Sequence, residues 1–380
     1  MHVFNISDKL QVMVVDLNGL VRWRGNDVVI DLKSIVNDFK QDCTIELVAS
    51  DAFPLVSSAD NDPVAYLGTC WVVYDNLFAP HSFFAALFQV NKDYQVSQWM
   101  RISLFEAPTF TKFITPNPNA TDNVYWTIFS HAKGADLFEI NKNIKIPFNK
   151  RIAGPKSVVE NFPTLDVSDL PGSVLRCDTW VNTSGRVFIA GFDTGYVIAA
   201  ISSITPNKVL DRKTLKFSGP ICILKAIRQN TPTEPAMILV SSTIGPVTIW
   251  ALCIDKNKIY WELRCQLSES EVYDAVVTAA ITKQFILIGT YGEQLLIYSL
   301  EDALRYTELS PLATLNVASP ILSIVPVEHD NALFVLSSKG FHQYFQLDSA
   351  QQPMGNMEEG LSSTFESSPK SSQLLKPSTS

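Results

Sequence analysis

The sequence predicts an all-β fold, a seven-bladed β-propeller with four-stranded blades, from three observations. Four segments share one pattern, in which an apolar run, a turn with glycine and a second apolar run follow one another. Their turn glycines are spaced almost evenly along the chain. Each hairpin is also flanked by further strand-like segments, so one repeat has the four strands of a propeller blade.

The four hairpins lie in the C-terminal half of the chain, at residues 186–202, 236–252, 284–300 and 332–347. β-Branched and aromatic runs flank turns in which glycine supplies a positive φ, which is the usual signal of a β-hairpin. The turn glycines are separated by 50, 47 and 48 residues, and they are Gly195, Gly245, Gly292 and Gly340.

Further strands are predicted on both sides of these hairpins. Apolar segments precede them at 173–181, 220–227, 272–281 and 320–327. More polar segments follow three of them at 208–217, 259–267 and 303–315. One repeat therefore consists of an inner strand, a hairpin and a solvent-facing outer strand, and such a sheet buries both faces only when neighbours pack against it.

The same pattern extends into the N-terminal half. Segment 123–140 fits with Gly134, segment 9–24 fits with Gly19, and 66–90 supplies an enlarged blade between them. Seven turns result, whereas six or eight blades would require one of these units to be dropped or split. Residues 1–7 are expected to pair across the seam with the last blade, which would cover its exposed edge.

The propeller is predicted to occupy residues 1–347. Residues 348–380 are rich in Ser and Pro and almost free of aromatic residues, which is the composition of a disordered tail. A two-domain alternative would require a linker or a change of composition in the middle of the chain, and the sequence has neither.

Composition narrows the possible partners. The chain of 380 residues is 46% hydrophobic and 18% charged, and its net charge of −8 disfavours nucleic acid as the main partner. Neither a signal peptide nor an uninterrupted apolar span of about 20 residues is evident, so a cytoplasmic protein without a transmembrane segment is expected. The six cysteines are scattered through apolar runs and are interpreted as reduced and buried.

No pattern typical of catalysis or metal binding is evident. The five histidines have no metal-ligand spacing, and the loops 282–284 and 328–332 lack the oxygen ligands of a calcium loop. The sequence therefore predicts a non-enzymatic protein without a cofactor or metal. An enzyme of the quinone-propeller type remains a distant alternative.

Several strings in the repeats resemble the kaptin family. They are FIAGFDTGYV (188–197), FSGPICIL (217–224), LVSSTIGPVTIW (239–250), LIGTYGEQLLIYSL (287–300) and SPILSIVPV (319–327), followed by LSSKGFH (336–342). Their order and spacing also agree with the family from about residue 170 to residue 347. Upstream, DLNGLVRWR (16–24) is the best remnant of the pattern.

The resemblance implies a seven-bladed scaffold protein of KICSTOR, the lysosome-associated complex that recruits the GATOR inhibitor. GATOR restrains TOR complex 1 signalling when amino acids or glucose are limiting. The resemblance also implies binding to F-actin at the leading edge, so actin-filament binding in the lamellipodium is an alternative that can coexist with the first. Two departures are the lack of the family's longer N-terminal lead and of the acidic loops of some relatives.

A basic segment is a candidate surface for an acidic partner. Residues 141–157 contain several cations and no acidic residue, and the outer strand of the next blade adds four more. This predicted basic rim could bind an actin filament or an anionic membrane, although exposed lysines also serve solubility. Its residues are Lys142, Lys145, Lys150, Arg151, Lys156, Lys208, Arg212, Lys213 and Lys216.

Overall fold

The structure is a computed structural model of the whole chain. It describes residues 2–6, 9–23, 26–36, 43–55, 63–74, 80–114, 123–130, 135–141, 151–152, 171–182, 185–203, 209–227, 235–268, 275–327, 332–345 and 376–377. The described strands form seven sheets, numbered 1 to 7 in chain order.

The N-terminal half forms sheets 1 to 3, in which neighbouring strands are antiparallel. Sheet 1 contains β1 (His2–Ile6), β2 (Lys9–Val15), β3 (Leu20–Trp23) and β4 (Asn26–Asp31), and helix α1 (Leu32–Val36) follows it. Sheet 2 contains β5 (Thr44–Pro54), β6 (Ala65–Tyr74), β7 (Pro80–Val90) and β8 (Val96–Leu104). Sheet 3 contains β9 (Pro108–Ile114), β10 (Asn123–Ser130), β11 (Ala135–Asn141) and β12 (Arg151–Ile152).

The C-terminal half forms sheets 4 to 7. Sheet 4 contains β13 (Val174–Asn182), β14 (Gly185–Phe192), β15 (Tyr196–Ser202) and β16 (Val209–Lys216). Sheet 5 contains β17 (Ile221–Ile227), β18 (Ala236–Ser242), β19 (Val247–Asp255), β20 (Lys258–Leu267) and, after helix α2 (Leu300–Arg305), β24 (Glu308–Leu309). Sheet 6 contains β21 (Val276–Ile281), β22 (Phe285–Thr290), β23 (Gln294–Ser299) and β25 (Ala313–Asn316). Sheet 7 contains β26 (Ile321–Val327), β27 (Ala332–Ser337), β28 (Phe341–Phe345) and β29 (Lys376–Pro377).

The all-β class and the propeller arrangement are confirmed, but the predicted number of blades is corrected. Sheets 1 to 5 each have four consecutive strands that pair in chain order, and in sheet 5 strand β24 is added as a fifth. In sheet 6 the fourth strand comes after α2 and β24, and β24 pairs with β20 of sheet 5. Sheet 7 takes its fourth strand from Lys376–Pro377. The chain therefore builds five regular four-stranded blades rather than seven, because it leaves the simple meander after β23 and after β28.

The predicted pairing of the N-terminus across the seam is wrong. Strand β1 pairs with β2 in the same sheet, so that Phe4 lies opposite Gln11. Only two residues separate these strands. Closing this short hairpin therefore costs less conformational entropy than bringing the two ends of the chain together. The predicted tail, 348–380, lies outside the described residues except for the two residues of β29.

The core lies between neighbouring sheets, as a propeller requires. The first strand of each sheet packs against the first strand of the next, from β1 and β5 through to β21 and β26. The second strands are covered on both faces, and every residue of β22 is buried. The outer strand β16, by contrast, has no fully buried residue.

Second-strand glycines let the sheets approach closely. A Cβ on Gly191 would lie 2.5 Å from Ile221 Cγ2, and one on Gly289 would lie 2.6 Å from Ile321 Cγ2. In both cases the isoleucine begins the first strand of the next sheet. Gly68 likewise leaves room for the indole of Trp126 in sheet 3. The missing side chains are therefore part of the packing between blades.

Three of the predicted turn glycines adopt the left-handed conformation. They are Gly19 (φ +77°), Gly195 (φ +81°) and Gly245 (φ +101°). Gly292 and Gly340 are not left-handed, and Gly134 lies outside the described residues.

The turn between β22 and β23 explains the error at Gly292. In the equivalent turn Gly195 is the third loop residue, and its carbonyl accepts a hydrogen bond from Phe217 N (2.8 Å). Glu293 occupies that third position, with φ 71°, and its carbonyl accepts from Val317 N (2.8 Å). Gly292 therefore lies one residue before the turn position that favours glycine.

Candidate functional site

One end of the propeller presents its hairpin tips together. In a four-stranded meander, the loop between the second and third strands lies at the same end as the link to the next sheet. Hydrogen bonds between loop and link confirm this placement, from Phe217 N to Gly195 O (2.8 Å) and from Thr243 N to Pro220 O (2.9 Å). We call this end the hairpin-loop face, and it consists of these loops and links.

Large apolar side chains are exposed on the hairpin-loop face. Leu17, Ile244 and Tyr291 lie in the loops of sheets 1, 5 and 6, and they are 78%, 62% and 66% exposed. Phe105, in the link from sheet 2 to sheet 3, is 84% exposed. Exposed apolar side chains at such tips are stabilised when a partner removes them from water.

The structure describes part of the predicted basic rim. Arg212, Lys213 and Lys216 lie on outer strand β16, where Lys213 and Lys216 are exposed and Arg212 is half-buried. Arg151 begins strand β12, so it belongs to sheet 3 and not to β16. The other predicted rim residues lie outside the described residues: Lys142, Lys145, Lys150, Lys156 and Lys208.

Part of the charge on β16 is already engaged within the fold. Lys216 donates a hydrogen bond to Thr194 O, and its Nζ lies 4.0 Å from the centre of the Tyr196 ring. Asp211 accepts from Ile259 N (2.8 Å) and lies 3.7 Å from Lys258 Nζ, which joins sheets 4 and 5. The hydrogen bond from Ile259 lowers the pKa of Asp211, since it stabilises the carboxylate. Of the rim cations on β16, Lys213 is therefore the exposed one without a hydrogen bond or ion pair to any described residue.

A cavity of about 400 Å³ lies between the first strands of sheets 3 to 7. Charged residues line its wall on three strands, with Lys112 on β9, Arg176 and Asp178 on β13, and Lys225 on β17. Its other lining residues are uncharged: Phe110, Cys177, Leu224, Ala226, Ala280, Ile281 and Pro326. We call it the central cavity.

The cations of the central cavity connect neighbouring sheets. Lys112 Nζ donates to Cys177 O (2.8 Å) and lies 3.8 Å from Asp178 Oδ1, which joins sheets 3 and 4. Arg176 Nε donates to Cys222 O (2.9 Å), which joins sheets 4 and 5. Lys225 has no hydrogen bond or ion pair with any described residue.

The surrounding protein disfavours charge in this cavity. Burial, followed by repulsion from Lys112, lowers the pKa of Lys225 to about 8, although its side chain is accessible from the cavity. Burial also lowers the pKa of Arg176. Next to the cavity wall, burial raises the pKa of Asp51 to about 6, and its carboxylate accepts from Phe113 N (2.8 Å).

The cysteines are free thiols in the structure. Burial raises the pKa of Cys177 to about 12 and that of Cys265 to about 11, so neither is a reactive thiolate at neutral pH. Among the described residues, no group of three or more His, Cys, Asp or Glu side chains could hold a metal ion. No helix within the described residues is long and apolar enough to cross a membrane.

The cationic cavity was not among the sites predicted from the sequence, although the sequence contains a signal for it. Lys112, Arg176 and Lys225 are each the only basic residue in a first strand that is otherwise largely apolar. A first strand faces the axis, so a cation in it points towards the centre of the propeller rather than towards bulk solvent. Only the packing of sheets 3, 4 and 5 brings the three together.

The sheets and their packing define the chain as a β-propeller. A family model described as KICSTOR complex protein kaptin matches residues 154–353, more than half of the chain and all of sheet 4 through β28. The chain therefore belongs to the kaptin family, as the repeated strings indicated. No curated protein gives a significant match.

One similar solved structure is the crystal structure of the computationally designed Ika8 protein. The likeness has a TM-score of 0.43 at 10% sequence identity, and it covers 81% of this chain and 85% of the designed one.

Proposed function

We propose that this chain is a non-enzymatic scaffold subunit of KICSTOR. In this role it helps to recruit the GATOR inhibitor to lysosomes and thereby restrains TOR complex 1 signalling when amino acids or glucose are limiting. The observation that carries the proposal is the family match over residues 154–353, which spans sheets 4 to 6 and strands β26 to β28 of sheet 7. Family membership supports KICSTOR as the assembly, and GATOR recruitment is the finer step proposed here.

The hairpin-loop face is the proposed contact surface for another KICSTOR subunit. Its exposed residues Ile244 and Tyr291 lie on the tips of adjacent sheets 5 and 6, inside the segment that matches the family. Burying such side chains stabilises a complex by about 25 cal/mol for each Å² of apolar surface removed from water.

Co-purification tests the assembly directly. The full chain, tagged and expressed in cells that contain KICSTOR, should co-purify with the other KICSTOR subunits and with GATOR. Deleting its gene should leave TOR complex 1 active after amino-acid withdrawal. Recovery of KICSTOR without GATOR would refute the recruitment step, and recovery of neither would refute the proposal.

A second candidate function is binding to actin filaments, and the exposed basic residues of β16 favour it. Lys213 is exposed, and Arg212 and Lys216 lie on the same outer strand. An acidic filament would attract such a strand by electrostatic steering, and salt would weaken the attraction. This function can coexist with the first, because β16 is an outer strand and not part of the hairpin-loop face.

Filament co-sedimentation at low and high salt tests this second function. Reversing Lys145, Lys150, Arg151 and Lys213 to Glu should abolish co-sedimentation at low salt. The control is Lys283→Glu, which reverses an exposed cation on a turn of sheet 6. Equal co-sedimentation of the wild-type and fourfold variant proteins would refute actin binding through these residues.

A further inference from the structure

The central cavity contains an excess of positive charge. Three cations and one carboxylate line it, and the carboxylate of Asp178 is already close to Lys112. The chain as a whole is acidic, with a net charge of −8, so this concentration of cations is not a general property of its composition. A volume of about 400 Å³ lies within the range of small-molecule sites, about 300–1,000 Å³.

Lys225 is the cation of the central cavity that has no partner among the described residues, and its side chain is exposed to the cavity. Lys112 and Arg176 have backbone carbonyl partners, whereas Lys225 has no hydrogen bond or ion pair with any described residue. Its ammonium group faces Lys112 on β9 and Arg176 and Asp178 on β13, while β21 and β26 contribute only uncharged residues to the cavity wall. Cations that repel one another are stabilised by a shared anion.

We propose that the central cavity is a binding site for the phosphate group of a small molecule, in which Lys225 supplies the primary charged contact and Arg176 the second. A guanidinium and an ammonium group can both donate to one tetrahedral oxyanion, and the arginine side chain can do so with two N–H groups. The uncharged wall, with Phe110 and Pro326, would accommodate an organic group attached to the phosphate. The ligand could be free phosphate or a phosphate ester such as an inositol phosphate.

Titration calorimetry on the full chain with inorganic phosphate and with inositol hexakisphosphate tests the site. Lys225→Met should weaken binding at least tenfold, since one charged hydrogen bond contributes about 1.5–3 kcal/mol. The matched control is Lys213→Met, which removes an exposed cation from outer strand β16 and should leave the affinity unchanged. Binding of the ester alone would identify the attached group as part of the ligand.

A second measurement does not depend on a variant. Sulfate remains a dianion between pH 7 and pH 9, a range above the pKa of about 6 of the neighbouring Asp51, so a change in its affinity over this range reports a group with a higher pKa. Lys225 is a cation below a pKa of about 8 and neutral above it, so sulfate affinity should fall as the pH rises through 8. Sulfate should also raise the pKa of the Lys225 ammonium group, as followed by NMR.

Three results would overturn the proposal. They are no binding of either phosphate compound, equal losses in Lys225→Met and Lys213→Met, and a Lys225 pKa that sulfate leaves unchanged. The co-purification experiments do not involve the central cavity. Failure of the phosphate-site proposal would therefore be distinguishable from failure of the proposed scaffold function.

Discussion

Replacing Gly289 by alanine should destabilise the contact between sheets 6 and 7. The new Cβ would lie 2.6 Å from Ile321 Cγ2 and 2.8 Å from Thr278 Cγ2, closer than carbon atoms can pack. Overpacking of a filled core costs about 1–3 kcal/mol. Ile321 is fully buried, so Ile321→Ala alone should cost about 2–5 kcal/mol.

Combining the two substitutions identifies the contact responsible. Ile321→Ala removes the methyl group that the new Cβ would meet, so the double variant should cost less than the sum of the single variants by about 1 kcal/mol or more. The assay is equilibrium urea unfolding followed by tryptophan fluorescence. The control combines Ile321→Ala with Gly191→Ala, whose Cβ would meet Ile221 instead, and this pair should be additive. Additivity in the Gly289 pair as well would refute the inferred packing between the blades.

Two further predictions concern the turns. Gly195→Ala should lower the free energy of unfolding more than Gly245→Ala. Both glycines have a positive φ, which costs alanine about 1–2 kcal/mol. Only the new Cβ at 195 would also contact backbone, 2.6 Å from Phe217 O, so equal shifts in the urea midpoint would contradict this prediction. Glu293→Gly should stabilise the protein by about 1 kcal/mol, because Glu293 occupies the left-handed position of its turn. A lower urea midpoint for this variant would show that the turn is misassigned.

The repeats make much of the fold predictable from the sequence. A turn every 47 to 50 residues, flanked by apolar runs, identifies sheets 4 to 7, and the enlarged unit at 66–90 corresponds to β6 and β7. Two features of the fold depend on the path that the chain takes between sheets. The local pattern of apolar runs and turns does not predict them. One is the detour through α2 and β24 to sheet 5, and the other is the origin of β29 near the C-terminus.

The candidate sites were less predictable than the fold. Charge clustered along the chain indicated the basic rim, of which β16 is the part that the structure describes. The central cavity unites residues that lie far apart in the sequence, since 112 residues lie between Lys112 and Lys225. Single cations in apolar strands become a site only when the strands converge on one axis.

The central claim is that the hairpin-loop face binds another KICSTOR subunit, and binding of the purified full chain to purified KICSTOR subunits tests it most directly. The Ile244→Ser/Tyr291→Ser variant removes two exposed apolar tips from that face. The control, Tyr260→Ser/Leu263→Ser, makes the same kind of change on outer strand β20, where these residues are 53% and 48% exposed. The face variant should bind at least tenfold more weakly than the wild-type protein while the control binds normally, whereas normal binding by the face variant would contradict the claim.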